Sequence, residues 1–105
     1  MGNGAARDSE IVAVVSSLID LLGRYDDARA VEWLEGRRAI LESDRGLERK
    51  SVISDLHRIV LGMGGLMDMR LSGPSPEMER QANVELRALA DRLYELTNVI
   101  KPPHE

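Results

Sequence analysis

Near the C-terminal end of the chain, Ala82, Leu86, Leu89, Leu93, Leu96 and Ile100 recur at intervals of 4, 3, 4, 3 and 4 residues. A helix returns to the same face about every 3.6 residues, so this spacing draws one continuous apolar seam. Such a seam is stable only against other helices, as in antiparallel bundles and short coiled coils. The start of the helix is marked as well. In Ser75-Pro76-Glu77, Ser accepts from the free amides of the first turn and Pro occupies the first helical position. Glu77 and Glu79 complement the dipole. The spacing predicts a helix from Pro76 to about Ile100.

A chain of 105 residues makes one domain. Three further helices are expected to meet the seam. The first runs from about Asp8 to Leu22, with Asp8 or Ser9 as its cap. Ile11, Val14 or Val15, Leu18 and Leu22 share one face, widened by Val12, Ile19 and Leu21. Gly23 reads as a left-handed stop. The second helix follows Asp26 or Asp27 as N-cap and runs to about Glu42, with Val31, Leu34 and Leu41 beside Ala30, Trp33 and Ile40. Gly36 inside it either weakens the helix or lets a neighbour approach closely. The third covers about Leu47 to Leu61, with Val52, Ile53, Leu56, Ile59 and Val60 on its apolar face.

Residues 62–76 break the pattern with four Gly, two of the chain's Pro and three Met. They read as an ordered, partly buried connection with a short helical turn at Leu66–Arg70. The expected fold is therefore all-α: a four-helix antiparallel, bundle-like domain over 8–100, with an irregular Gly/Met-rich connection before a long last helix. Residues 1–7 and 101–105 are expected to be flexible ends.

Composition narrows function mainly by exclusion. No cysteine is present, so disulfides, thiolate metal sites and Cys nucleophiles are excluded. With no Phe and 3% aromatics, Leu, Ile, Val, Ala and Met must fill the core. The formal charge is -4, with no general basic excess to hold nucleic acid or an anionic membrane. Residues 1–44 carry five Arg against nine acidic groups; residues 45–75 carry five basic against three acidic. Of the 14 basic residues, 12 are Arg, which forks onto carboxylates as Lys does not. The run Ile11–Val15 is far too short to span a bilayer, and the start lacks the apolar stretch of a signal peptide. A cytoplasmic location is the default expectation.

No cofactor or metal is expected, because neither of the two His sits in a ligand spacing. His57 borders an apolar face and reads first as a boundary residue, since nothing in the sequence nominates a nucleophile or acid for it. Gly62-Met63-Gly64-Gly65 is not a phosphate loop: no strand precedes it and no G-K-[ST] follows. It reads as a left-handed helix end followed by a tight, closely packed turn. Met63, Met67 and Met69 with Leu66 and Leu71 either cover the end of the bundle or form a contact surface, and cover is the first reading. Asp68 among them is then expected to bond backbone amides. Trp33 lies between Arg29 and Arg37 at four-residue spacing, so either guanidinium is placed to lie over the indole. It serves equally as a core-edge residue or as a binding anchor. Asp20, Asp26, Asp27, Glu32, Glu35, Glu42 and Asp44 read as a solvated face or as a patch complementary to a basic partner.

Residues 18–71 resemble a small uncharacterised bacterial domain family. Its pattern is a short helix ending in Leu-Leu, a Trp-Leu helix, and a Gly-Gly-Met-Gly-Ser motif followed by Asp-Leu. Leu21-Leu22, Trp33-Leu34 and the run Gly62 to Met69 carry the likeness over about half the chain; here the glycines are shifted and Gly65 or Leu66 stands where the family has Ser. The resemblance implies no activity, only a shared structural role for the glycine segment.

The expected function is a non-enzymatic protein-binding module. Its sharper form is a small acidic antagonist, such as an immunity protein or antitoxin that covers a basic toxin or effector. Asp26, Asp27, Glu32, Trp33, Glu35, Met67 and Met69 are the candidate contact residues. The alternative is a structural homodimer or assembly subunit that uses the last-helix seam. Neither reading calls for nucleic acid or membrane.

Overall fold

The computed structural model describes residues 2–25, 27–43, 46–62 and 65–98. It contains four helices, α1 (Gly2–Arg24), α2 (Ala28–Glu42), α3 (Gly46–Leu61) and α4 (Pro76–Thr97), with a 3-10 turn at Leu66–Asp68. No strand occurs among the described residues. The fold is all-α and bundle-like. Backbone neighbours pair α1 with α2 and α4, and α3 with α2 and α4, so the helices close a ring. Adjacent helices run antiparallel. Ser16 meets Arg38 and Gly23 lies by Val31, which orients α2 on α1. Arg92 pairs with Glu10 and Arg24 with Glu85, which orients α4 on α1.

The core follows the helical spacing. Ile11, Val15, Leu18, Leu21 and Leu22 of α1 are buried, as are Leu34 and Leu41 of α2 and Val52, Ile53, Leu56 and Val60 of α3. Along α4, Ala82, Leu86, Ala90, Leu93 and Leu96 are buried and Leu89 is half-buried. Ile100 lies outside the described residues. The α4 seam is thus covered by helices of the same chain.

Three local expectations are corrected. Residues 2–7, expected as a flexible end, are part of α1, which begins six residues before Asp8. Asp8 is consequently no cap; it pairs with Arg49 of α3. The helix also does not stop at Gly23 but one residue later, without a left-handed backbone there. The Leu22 carbonyl accepts from Tyr25 at 3.2 Å and Asp27 at 3.0 Å, which closes the end of α1. The cap of α2 is Asp27, whose carboxylate accepts from Ala30 N–H at 3.2 Å. Asp26 lies outside the described residues.

The connection between α3 and α4 is ordered by two devices. The first is space. A Cβ on Gly65 would stand 1.9 Å from the Ile59 carbonyl oxygen, so only glycine fits where the chain folds back over the end of α3. Its backbone is extended (φ -82°, ψ -165°), and Gly62 is not left-handed either. The expected closely packed turn is thus present at Gly65, and neither Gly62 nor Gly65 is left-handed; Met63 and Gly64 lie outside the described residues. The second device is Asn83 of α4. Its Oδ1 accepts from Leu71 N–H at 2.7 Å, and its Nδ2 donates to the carbonyls of Leu71 at 2.9 Å and Glu79 at 2.8 Å. Leu66 and Leu71 are then buried, and Met67 and Met69 are half-buried against the core. Asp68 is exposed at the end of the turn.

Candidate functional site

The bundle leaves an apolar groove where α2, α3 and the 3-10 turn meet. It encloses about 330 Å³. Ala30, Trp33 and Leu34 come from α2, Ile59 from α3, and Leu66 and Met69 from the connection; Asp27 and Arg29 stand at the rim. α2 contributes one turn of its apolar face and α3 a single side chain. Residues 30, 33 and 34 lie together because i, i+3 and i+4 positions are neighbours on a helix. Leu66 and Met69 reach the groove because Gly65 lets the chain turn tightly over Ile59.

Trp33 is half-buried and packed on the core, while part of its ring lines the groove. Its orientation is braced from the far side. The Arg37 guanidinium lies 4.7 Å from the ring centroid, the geometry of a cation–π contact. Arg37 Nε is itself 3.6 Å from Asp55, within ion-pair range but too far for a hydrogen bond. Asp55 is engaged at 2.8 Å by Arg58. Of the two arginines that flank Trp33 in sequence, Arg37 takes the stacking role and Arg29 lines the groove.

Of the seven candidate contact residues, Asp27, Trp33 and Met69 converge on this groove. Glu32 and Glu35 are exposed on another face of α2, beside a shallow groove shared with Gly23, Ala28 and Val31 that Asp27 also borders. Met67 packs on the core instead of lining either groove. Among the other acidic groups, Asp20 is paired with Arg24 in an exposed i, i+4 contact, and Asp44 lies outside the described residues. Of the other lining residues, Ile59 is expected from its spacing only as a core position of α3, whereas Leu66 belongs to the Gly/Met segment expected either to cover the bundle or to form a contact surface.

His57 and Thr97 form the other polar contact of interest. His57 Nδ1 lies 3.1 Å from Thr97 Oγ1, and the imidazole stacks on Tyr94 with ring centroids 4.4 Å apart. A histidine beside a hydroxyl has the ingredients of a base and a nucleophile. Here the proton points elsewhere: Thr97 Oγ1 donates to the Leu93 carbonyl at 2.7 Å, so His57 Nδ1 must donate to Thr97. Thr97 is also buried, 2% exposed, beyond the reach of a substrate. The pair ties the last turn of α4 to α3. No cluster of three or more His, Cys, Asp or Glu among the described residues has the arrangement of a metal site. No helix of the described chain is long and apolar enough to cross a membrane.

Compared with protein-family models, curated proteins and solved structures, the chain has no match.

Proposed function

We propose that this chain is a non-enzymatic protein-binding module whose contact surface is the groove beside Trp33. The groove itself carries the reading. It joins a braced indole, a thioether and four aliphatic side chains with one acidic and one basic group at the rim. Binding energy at protein interfaces concentrates where an aromatic anchor lies in an apolar pocket ringed by polar groups. Met69 adds a side chain that adapts to different partner shapes.

The sharper form is a cytoplasmic acidic antagonist, of the immunity-protein or antitoxin kind, that covers a basic partner. Its support is the net charge of -4 and the position of Asp27, which borders both the Trp33 groove and the face carrying Glu32 and Glu35. A basic partner spanning the start of α2 meets the apolar anchor and the carboxylates together, which steers its approach.

The test compares baits in affinity capture from the native host. A protein retained by the wild type and lost on Trp33→Ala and Met69→Glu supports the reading; identical captures by all three baits overturn it. With that partner purified, neutralising Asp27, Glu32 and Glu35 should slow association at low salt. An unchanged association rate removes the electrostatic part and leaves the groove.

A further inference from the structure

We propose that a second groove, on the outer face of α4, docks an acidic peptide segment of a partner that carries an apolar side chain between its carboxylates. This proposal is independent of the Trp33 groove. The second groove encloses about 560 Å³ between α4 and the end of the connection. Pro76, Arg80, Val84 and Arg87 line it from α4, at spacings of 4, 4 and 3 that put them on one face. Arg70 lines it from the connection, next to Leu71, whose backbone Asn83 holds.

The charge there is unbalanced. Arg24, Arg37, Arg49, Arg58 and Arg92 pair with carboxylates. Arg70, Arg80 and Arg87 have no ion pair or hydrogen bond among the described residues. Glu79 is the single carboxylate lining the groove. In a chain of net charge -4, three unpaired guanidinium groups around one groove are a local reversal of sign. Among them lies Val84, 64% exposed and the most exposed large apolar side chain described.

These features select the occupant. Arg80 and Arg87 are separated by seven residues, roughly 10 Å along the helix, with Val84 between them. An extended peptide covers that distance in about three residues. Two acidic positions flanking an apolar one then meet the arginines while the apolar side chain covers Val84. Guanidinium groups bind carboxylates in forked pairs, which favours ordered acidic side chains. A single-stranded nucleic acid draws on aromatic stacking as well as charge, and no aromatic side chain lines this groove.

The experiment is an amide-resonance titration of the ¹⁵N-labelled chain with acetyl-Glu-Glu-Leu-Glu-Glu-amide. The proposal expects shifts concentrated at residue 70 and residues 79–87. It expects affinity to fall about tenfold or more in Arg80→Glu/Arg87→Glu, and severalfold when Gly replaces the peptide Leu. Trp33→Ala should leave this binding unchanged, which separates its failure from failure of the first groove. All substituted arginines are exposed, and circular dichroism verifies that the helices persist. Any of three results overturns the proposal: no shifts at millimolar peptide, shifts centred elsewhere, or tighter binding of a single-stranded oligonucleotide or inorganic phosphate than of the peptide.

Discussion

Asn83 grips both polar groups of the Leu71 backbone, accepting from its N–H at 2.7 Å and donating to its carbonyl at 2.9 Å. The side-chain amide does for residue 71 what a neighbouring strand would do. The chemistry also settles which way the amide points, because only its oxygen accepts and only its nitrogen donates. Leu71 is preceded by Met69, which lines the apolar groove, and Arg70, which lines the arginine groove. A single side chain of α4 therefore positions both surfaces.

Replacing Asn83 by Asp keeps an acceptor for Leu71 N–H but sets a carboxylate against the carbonyls of Leu71 and Glu79. The expected loss is about 1–3 kcal/mol in urea unfolding at neutral pH. Limited proteolysis should cut residues 62–75 faster in the variant. An unchanged midpoint with unchanged cleavage would mean that the clamp contributes nothing.

Two glycines should respond with opposite signs. Gly65→Ala forces a methyl into the Ile59 carbonyl, so the connection has to shift; a destabilisation of about 2–3 kcal/mol is expected. Gly36 lies mid-helix with open space where its Cβ would be, so Gly36→Ala should stabilise by about 0.5–1 kcal/mol. Thermal unfolding of both variants in one buffer checks the contrast.

Thr97 and His57 set a spectroscopic prediction. Since Thr97 passes its own proton to Leu93, neutral His57 should be the Nδ1–H tautomer, readable from imidazole ¹⁵N shifts. Thr97→Val removes the acceptor and should shift the tautomer toward Nε2–H, with a loss of roughly 1–2 kcal/mol. A wild-type ring already in the Nε2–H form would contradict the hydrogen-bond roles.

Leu93 is fully buried against the chain's own helices. Leu93→Ala should cost about 2–5 kcal/mol, the range for a cavity in a packed core. Because the seam is internal, the unfolding midpoints of wild type and variant should not depend on protein concentration. A midpoint that rises with concentration would mean that folded chains associate.

Much of the core was legible in the residues. Ile11, Leu18 and Leu22, or Leu86, Leu93 and Leu96, recur at a spacing that only a helix puts on one face, and each was found buried. Caps such as Ser75 were legible for the same reason: they act within four residues of where they stand. The glycine run points to a left-handed helix end and a tight, closely packed turn; the close packing is present at Gly65, but that the Ile59 carbonyl is the group that leaves no room for a Cβ was not legible. The grip of Asn83 on Leu71 gave no signal at all, since Leu71 lies 12 residues upstream on an irregular segment.

The candidate site divides along the same line. Trp33 stood out as the only tryptophan, and its arginine neighbours by their spacing. That Arg37 stacks on it, that Met69 joins it while Met67 turns to the core, and that Glu32 and Glu35 face another way depended on packing. By itself the sequence determined four helices, the capped starts of α2 and α4 and one interrupted connection, because periodicity and capping are local physics. Only the tertiary structure decided which helix faces close the core and which are left as grooves. Those outcomes arise from contacts between residues far apart in the chain, such as Arg70 brought to α4 by the hold of Asn83 on Leu71.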